Sequence, residues 1–441
     1  ESKVHFGLGQ YTQLDSVIIW WSNHQKQILY KVKADQDLAV DVRQAAPYEL
    51  DNRNGLPDAS VFKEIAPSAG ISYIHQESDY IDFAHELLLP HKLSQYGPGL
   101  AVNDIDGNGL DDIFIGGNRK QPATYFLQQP DGKFIRKELP VIYGHDAREP
   151  ENMGILLFDA DQDGDNDLYC ASGSNEFAAN TRNYQDRFYL NDGNGNFLLD
   201  TAAIPPNFTS KSCVKAADFD HDGRPDLFIG GRVEPGSYPL PVSSFIFRNE
   251  IHNGKLQFVD VTHEVCKELE NIGMVCDGLW TDFNNDGWPD LIIAGEWMPL
   301  RFFRNDHGKF TEITENTGIS GEKGWWNSIT AGDFDNDGDM DYVVGNLGLN
   351  SFYRASNRYP VSIYAADFDH NGILDAIPTV YLPDQQGSLQ EFPAQTRDDI
   401  IRQLPGLRKR FPTYKDFANA NIHEILSSAD LESALTLRAN H

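Results

Sequence analysis

Residues 218–231 read DFDHDGRPDLFIGG, an acidic turn followed by an apolar strand. The turn has the pattern Asp-x-Asp/Asn-x-Asp/Asn-Gly-x-x-Asp, and five further copies of it occur in the chain of 441 residues. The six copies, called loops 1 to 6 with positions 1 to 9, are DIDGNGLDD (104–112), DADQDGDND (159–167), DFDHDGRPD (218–226), DFNNDGWPD (282–290), DFDNDGDMD (333–341) and DFDHNGILD (367–375). The interval between loops 5 and 6 is the shortest. Such a recurrence predicts a repeat protein.

The spacing of oxygen-bearing residues within each loop predicts a calcium site. Ca²⁺ prefers six to eight oxygen ligands at about 2.3–2.6 Å. Side chains at positions 1, 3 and 5 of a tight turn converge on one point, and Gly at position 6 tolerates the positive φ of the turn. The carbonyl of position 7 and the Asp at position 9 complete the set. The sequence therefore predicts several bound Ca²⁺ ions, up to six.

Each predicted ligand set comprises positions 1, 3, 5, 7 and 9, with position 7 contributing its backbone carbonyl. For loops 1 to 3 the residues are Asp104, Asp106, Asn108, Leu110 and Asp112; Asp159, Asp161, Asp163, Asp165 and Asp167; and Asp218, Asp220, Asp222, Arg224 and Asp226. For loops 4 to 6 they are Asp282, Asn284, Asp286, Trp288 and Asp290; Asp333, Asp335, Asp337, Asp339 and Asp341; and Asp367, Asp369, Asn371, Ile373 and Asp375. Loops 1, 4 and 6 carry an Asn and are the weaker candidates.

Two other interpretations of these loops were weighed. An EF-hand needs Glu at position 12 and flanking helices, but position 12 is never Glu in this chain and apolar strands follow. Asp-Gly turns without a metal are common in hairpins, yet six in register argue against that interpretation. The ligand positions hold 21 carboxylates, whose mutual repulsion requires a cation. Stability is therefore expected to depend on calcium.

Strand and turn signals between the loops predict further hairpins. Four of them are TYFLQQPDGKFIRKEL (124–139), RFYLNDGNGNFLLDT (187–201), SFIFRNEIHNGKLQFVDVT (244–262) and RFFRNDHGKFTEIT (301–314). Four strands per interval of about 50 to 60 residues, repeated radially, describe a β-propeller blade. A stacked solenoid is the alternative, but its repeats are usually shorter, about 20 to 45 residues.

The repeats resemble FG-GAP (VCBS-type) repeats, the calcium-loop blades of integrin α-subunits. The segments VFKEIAPSAGISYIH (61–75), HELLLPHKLSQYGPGLAVNDIDGNGLDD (85–112), GGRVEPGSYPLPVSSFIFRN (230–249) and GWWNSITAGDFDNDGDMDYVVGNLGLNSFY (324–353) resemble the cartilage acidic protein-like family. Within that family they are most similar to the large secreted or surface forms of Bacteroidetes. HFGLGQYTQLDSVIIWW (5–21) is similar to the second half of an ASPIC/UnbV domain, although Ser22 stands where that motif has Pro.

This resemblance implies an all-β chain with an integrin-α-like propeller and EF-hand-like calcium loops. We assign residues 1–42 to the C-terminal half of an ASPIC/UnbV domain, 43–60 to a linker, 61–395 to the propeller and 396–441 to a helical insertion or tail. Propellers of this kind usually have seven blades, so the propeller is complete in this chain only if residues 61–100 form a blade without a calcium loop. Otherwise the seventh blade lies beyond His441.

Composition excludes several classes of protein. The formal charge of −30 opposes binding to nucleic acid. No apolar run reaches the length of about 20 residues that is needed to cross a bilayer. Four cysteines, Cys170, Cys213, Cys266 and Cys276, permit two disulfides or remain as buried thiols. Calcium loops of this type need abundant calcium, which places the protein outside the cytoplasm, whether secreted, associated with an outer membrane or on the cell surface.

No nucleophile elbow, phosphate loop or His-Glu-x-x-His motif is present, so an enzyme is not predicted. The group of titratable residues that includes His75, His85 and His91 is the best candidate for chemistry, although a structural role is preferred. Trp297, Trp325 and Trp326 offer either a sugar platform or packing between blades. We therefore predict a calcium-binding interaction protein with a protein or glycan partner. The alternative is a calcium-dependent carbohydrate-active lyase or hydrolase.

Overall fold

The structure is a computed structural model that describes residues 8, 11–21, 25–47, 62–140 and 151–441. The chain divides into two compact units, Glu1–Ile65 and Ala66–His441. None of the helices in the described ranges is long and apolar enough to cross a membrane.

The first unit is a small antiparallel sheet of three strands. These are β1 (Gln13–Trp21), β2 (Gln25–Lys33) and β3 (Ala46–Pro47). The long pair β1–β2 runs from Gln13 opposite Lys33 to Trp21 opposite Gln25. Residues 46–47, assigned from sequence to the linker, pair with β2 instead. The rest of that linker, and most of the motif His5–Gln10, lie outside the described residues.

The second unit begins with residues that form no blade. The helix α1 (Ala66–Ala69) and a 3-10 turn at Asp82–Ala84 are followed by the first strand at Leu100. The described residues 62–99 contain no strand. The expectation of a blade at residues 61–100 is therefore wrong, because this segment follows the ends of the sheets instead of pairing with itself.

Five antiparallel sheets follow in chain order, and the fourth of them has six strands and carries two loops. We divide that sheet into two blades and call the resulting units blades 1 to 6 of a propeller-like fold. Blades 1 and 2 contain β4 (Leu100–Asn103), β5 (Asp112–Ile115), β6 (Thr124–Gln128), β7 (Phe134–Glu138), β8 (Glu151–Phe158), β9 (Asp167–Gly173), β10 (Arg187–Asn191) and β11 (Phe197–Leu199). Blades 3 and 4 contain β12 (Ser210–Ala217), β13 (Asp226–Val233), β14 (Phe245–His252), β15 (Lys255–Asp260), β16 (Met274–Thr281), β17 (Asp290–Pro299), β18 (Arg301–Asn305) and β19 (Phe310–Glu312). The short helix α2 (Thr262–Val265) links them.

Blades 5 and 6 differ from blades 1 to 4, in which four consecutive strands form each blade. Blade 5 has only β20 (Lys323–Gly332) and β21 (Asp341–Asn346), and the start of β20 also pairs with the end of β17. Blade 6 contains β22 (Val361–Ala366), β23 (Asp375–Pro383), β24 (Leu389–Pro393) and β25 (Leu435–Ala439), in the order β24-β23-β22-β25. Its fourth strand comes from the segment that the sequence assigned entirely to helices.

The helical segment lies between β24 and β25. It consists of α3 (Arg397–Gln403), α4 (Leu407–Arg410), α5 (Tyr414–Ala418), α6 (Ile422–Ile425) and α7 (Ser428–Ser433). Thr396, Thr413, Asn421 and Ser427 cap four of these helices with their side chains. The cap of the last helix, α7, is Ser427. Because β25 returns to blade 6, the helices form an insertion within that blade.

Every loop joins the first and second strands of its blade. Position 9 begins the second strand in all six blades, and the four predicted hairpins form the third and fourth strands of blades 1 to 4. The second strands are continuous apolar runs because third strands and neighbouring blades cover them. All residues of β9 and β13 are buried, for example. The core lies between successive blades, as where Phe219 of blade 3 contacts Phe310 of blade 4.

Residues 71–96, called the crossing segment, run over the ends of blades 1 to 4 opposite the loops and line a pocket with Ile373 and Leu374 of loop 6. Gln76 donates its N–H to Gln121 in blade 1, and Ser78 bonds Glu176 in blade 2. Glu86 accepts from Asn175 and from the Tyr238 N–H. Farther along, Leu88 accepts from Gln395 next to blade 6. The segment therefore ties several blades together at the end away from the loops.

Candidate metal sites in the six loops

The Asp at position 1 organises each loop. Its Oδ1 accepts the backbone N–H of position 5 at 2.9–3.2 Å, and its Oδ2 accepts that of the Gly at position 6 at 2.7–3.1 Å. The side chain at position 5 then accepts the N–H of position 7 at 2.8–3.1 Å. These bonds close the turn and hold the side chains of positions 1 and 5 in place.

Two positions of each loop have left-handed backbone. The Gly at position 6 has φ between +82° and +97°, as the sequence pattern predicted. Position 4 also has positive φ, between +58° and +72°, although it is Gly only in loop 1. The other occupants are Gln162, His221, Asn285, Asn336 and His370. Sequence analysis missed this position because its residues have no side-chain chemistry in common. What they share is a left-handed backbone conformation.

Five loops bring three carboxylates together. In each group one oxygen per residue lies within 4.8 Å of the others. The groups are Asp104, Asp106 and Asp112; Asp159, Asp161 and Asp163; Asp218, Asp220 and Asp226; Asp333, Asp335 and Asp341; and Asp367, Asp369 and Asp375. Loop 4 forms no such group among the described residues. Its position 3 is Asn284, which donates to Asp286.

The donor set fits a hard cation. All three atoms of every group are carboxylate oxygens, the ligands preferred by Ca²⁺ and Mg²⁺ and disfavoured by soft metals. In loop 1 the Oδ1 atom of Asp106 is buried and has no hydrogen-bond partner among the described residues, and the Oδ1 atom of Asp165 in loop 2 is in the same state. A buried anionic oxygen without a donor is costly. A cation would satisfy these oxygens.

The Asp at position 9 is a structural residue as well as a predicted ligand. Its Oδ2 accepts the N–H of position 2 at 2.8–3.2 Å in all six loops. It is buried in every loop except loop 5. Burial raises the pKa of Asp167 and of Asp226 to about 7, and that of Asp290 to about 6. Without a cation, the carboxyl groups of Asp167 and Asp226 are therefore about half-protonated near pH 7, and that of Asp290 near pH 6.

An Asn at the fifth residue of the third strand connects each loop to the preceding blade. In blades 2, 3 and 4 this residue is Asn191, Asn249 or Asn305, and its N–H donates to the position 9 Asp of its own blade at 2.7–2.9 Å. Its Nδ2 donates to the position 2 carbonyl of the preceding loop at 2.7–2.8 Å. We call this arrangement the Asn clamp. Sequence analysis missed it, although the residue recurs in YLND, FRNE and FRND.

Replacing the clamp residue Asn249 by Ala is expected to lower the free energy of unfolding by about 1–3 kcal/mol. The side chain is fully buried, and its loss leaves the carbonyls of Ala160 and Pro225 without their donor. Chemical denaturation in urea measures the change. Gln257→Ala, at an exposed position of the same blade, is the matched control. Equal free energies of unfolding for Asn249→Ala and Gln257→Ala would contradict a stabilising role of the Asn clamp.

The three histidines that the sequence grouped together do not meet. His75 bonds Tyr73 and Glu77 at 2.8 and 2.6 Å, whereas His85 stacks on Tyr80. The Nε2 atom of His91 lies 3.0 Å from Oε1 of Glu296. No group of metal-binding geometry in the described ranges contains a histidine. The preferred structural role fits this placement, since each ring packs against a different part of the unit.

Two of the three tryptophans proposed as a sugar platform are buried. Trp297 and Trp325 are each 4% exposed and pack against each other with ring centroids 4.8 Å apart. The indole N–H of Trp297 donates to Tyr238. These two residues therefore form packing between blades. Sequence analysis instead missed an aromatic stack at the loop end, in which Trp288 lies 4.0 Å from His221 and 4.7 Å from His307 between ring centroids.

All four cysteines are free thiols. Burial raises the pKa of Cys170, Cys266 and Cys276 to about 12, and that of Cys213 to about 11. Of the two possibilities left open by the sequence, the structure has the thiols, of which Cys170, Cys213 and Cys266 are buried and Cys276 is half-buried.

The chain matches two family descriptions. The first, FG-GAP-like repeat, matches residues 104–170, 159–229 and 282–344. The second, ASPIC and UnbV, matches residues 1–47. The fold and the loops thus define a protein with propeller-like FG-GAP repeats.

Curated relatives extend this result. Cartilage acidic protein 1 of Mus musculus is 28% identical over 218 residues, which are 48% of this chain and 31% of the relative. The Homo sapiens protein of the same name is 27% identical over 218 residues, or 48% of this chain and 30% of the relative. The chain spans less than a third of the length of these relatives. It carries FG-GAP-like repeats and an ASPIC/UnbV segment, and cartilage acidic protein 1 is its homologue.

Two solved structures align at low TM-score. A lectin of Agrocybe aegerita that recognises non-reducing terminal N-acetylglucosamine has a TM-score of 0.37 and 15% identity, over 79% of this chain and 86% of the lectin. A putative exo-β-1,3-galactanase of Bifidobacterium bifidum has a TM-score of 0.33 and 11% identity, over 70% and 96% of the two chains. At these TM-scores neither likeness bears on the function of this chain.

Proposed function

We propose that this chain is a calcium-binding interaction scaffold that works outside the cytoplasm and binds a protein or glycan partner. The observation that carries the proposal is the set of five carboxylate groups in equivalent loops. Each would hold one Ca²⁺, with Asp or Asn at position 5 and the carbonyl of position 7 supplying further oxygens. Loop 4, with Asn284 in place of an acid, would hold a sixth ion more weakly.

Calcium supports the extracytoplasmic location. The residues at positions 3 to 6 of the loops are largely exposed, so the sites exchange ions with the solvent. Extracellular calcium modules typically have dissociation constants of about 10⁻⁴–10⁻³ M, far above the calcium concentration of a cytoplasm. Sites of that affinity fill only where calcium is abundant. The net charge of −30 would fall to −18 with six ions bound.

The loop end of the blades is the better surface for a partner. The crossing segment covers the opposite ends of several blades, where Glu86 and His91 contact blades 3 and 4. The loop end carries the stack around Trp288. Rigid aromatic side chains are favoured in recognition surfaces because they lose little conformational entropy on binding. No catalytic role is proposed, since the histidines are dispersed among structural contacts.

The number of bound ions tests the proposal. The purified chain is dialysed to equilibrium against about 10 mM CaCl₂, and the excess of calcium on the protein side of the membrane, measured by mass spectrometry, gives the number of bound ions. We expect at least five ions per chain, as many as the carboxylate groups. The double variant Asp218→Asn/Asp220→Asn should bind one ion fewer, whereas Glu432→Gln, at an exposed position outside the loops, should bind the same number. Zero or one ion in the unmodified chain would overturn the proposal.

A further inference from the structure

Blade 5 is incomplete. Loops 5 and 6 start at Asp333 and Asp367, closer together than any other two successive loops. The missing length corresponds to the third and fourth strands, because residues 347–360 run from β21 to β22 without forming a strand. β21 pairs with β20, and no strand of the described residues pairs with its other edge. It is also the one second strand among the six blades, over the described residues, in which no residue is buried.

The bare edge lacks two contacts that the complete blades make. In blades 1 to 4 the position 9 Asp accepts the N–H of the fifth residue in the third strand. No described residue donates to the equivalent Oδ1 of Asp341, and this Asp is half-buried. The Asn clamp is absent here as well, so no described side chain donates to the Phe283 carbonyl of loop 4.

Apolar residues are exposed where a hairpin would cover them. The position 2 residues of loops 1 to 3, Ile105, Ala160 and Phe219, are 0% exposed because the hairpin of the next blade packs on them. The position 2 residue of loop 4, Phe283, which the hairpin of blade 5 would cover, is only half-buried. Val343 in the centre of β21 is 53% exposed. Exposed apolar residues next to an unpaired edge mark a surface to which a strand can add.

The negative charge of loop 5 also indicates which residues a strand bound next to β21 would carry. Loop 5 carries five Asp and no basic residue. In blade 3 the residue before the clamp Asn is Arg248, whose guanidinium lies 3.1 Å from Asp220 of the loop in the same blade. Blade 4 has Arg304 at the equivalent place. A third strand for blade 5 would therefore carry Arg-Asn at its end.

We propose that β21 is a docking site for a β-hairpin of a partner polypeptide with the pattern aromatic-x-Arg-Asn, a short Gly turn and Phe. The hairpin would add as the third and fourth strands of blade 5. Its Asn would donate its N–H to Asp341 and its Nδ2 to the Phe283 carbonyl, and its Phe would cover Phe283, as Phe310 covers Phe219 in blade 4. The site continues the clamp that joins the preceding blades. It depends on strand pairing and is independent of the proposed function.

A peptide taken from this chain tests the site. The probe is a fluorescent peptide with the sequence of residues 301–314, RFFRNDHGKFTEIT, closed by a terminal disulfide. Anisotropy is measured against the full chain. The control peptide carries the changes Asn305→Ala and Phe310→Ala. We expect saturable binding of the first peptide and at least about tenfold weaker binding of the second, a loss equivalent to about 1.4 kcal/mol.

Substitutions in the full chain complete the test. Val343→Lys places a charge on the bare edge, which opposes strand addition, and is expected to weaken binding at least about tenfold. Leu198→Lys, at a position 73% exposed on the outer strand of the complete blade 2, should leave binding unchanged. Circular dichroism checks that both variants fold. Absence of binding, equal binding of the two peptides, or equal binding by Val343→Lys and the unmodified chain would overturn the proposal. Self-association lost in Val343→Lys would also overturn it, because the occupant would then be a second copy.

Discussion

Removal of calcium at pH 8 is expected to lower the midpoint of thermal unfolding by at least about 10 °C. An ion present at 100 times its dissociation constant stabilises the folded state by about 2.7 kcal/mol. Five such ions would contribute about as much as the whole stability of a typical domain, which is about 5–15 kcal/mol. Without ions, carboxylates such as Asp218, Asp220 and Asp226 repel one another within 4.8 Å. Differential scanning calorimetry in calcium and in EDTA measures the shift.

The same experiment at pH 5 should show a smaller effect of the chelator. Burial raises the pKa of Asp167 and Asp226 to about 7, above the value of about 3.9 in an unfolded chain. A raised pKa means that the proton stabilises the folded state below that pH and that this contribution is lost as pH rises through 7. In EDTA the midpoint should therefore fall between pH 5 and pH 8, whereas with calcium it should not. Equal midpoints in calcium and EDTA at pH 8 would contradict the proposed sites.

The substitution Glu296→Ala is expected to lower the free energy of unfolding by about 3–5 kcal/mol. Glu296 is 2% exposed and forms an ion pair with Arg232, which is 6% exposed. It also accepts from the hydroxyl of Tyr238 at 3.2 Å and lies against His91 of the crossing segment. Removing the carboxylate leaves the guanidinium buried without its counterion, which is strongly destabilising. Urea denaturation at pH 7 measures the loss.

Two controls separate this effect from a general loss of contacts. Glu138→Ala breaks the exposed pair with Arg136, and pairs of this kind contribute about 0–1 kcal/mol. The double variant Arg232→Met/Glu296→Leu removes both charges and should recover most of the stability. The pair with Arg232 and the neighbouring His91 hold the pKa of Glu296 well below its usual value, against the effect of burial. Its contribution is therefore present above about pH 4.5 and is lost as pH falls. A loss no larger than that of Glu138→Ala would contradict this role.

The recurrent loops made the architecture predictable from the sequence. The acidic turn fixes a hairpin through local bonds, because position 1 accepts the N–H groups of positions 5 and 6 within the same loop. The apolar run after position 9 then predicts a buried strand. The third and fourth strands of blades 1 to 4 were also predictable. RFYLNDGNGNFLLDT and similar segments contain a Gly turn between two strands.

The features that the sequence analysis left open or missed lie where partners come from distant parts of the chain. His75, His85 and His91 are close in sequence, yet each meets a different set of partners in the crossing segment or the blades. Residues 435–439 follow a series of helices, but their pairing with β22 makes them a strand. Local pattern carries no information on such a pairing, because β22 precedes the whole helical insertion and the stabilising hydrogen bonds form only when the chain returns to it.

The sequence by itself determined the number of the acidic loops, the Gly turn in each of them and the strand that follows each loop. These features depend on bonds within a single loop and on the tolerance of Gly for positive φ. Only the tertiary structure decided which carboxylates converge, how Asn191, Asn249 and Asn305 join neighbouring blades, and that β21 keeps a free edge. The physical reason is that burial and long-range hydrogen bonding depend on how the blades are packed side by side, which no single segment encodes.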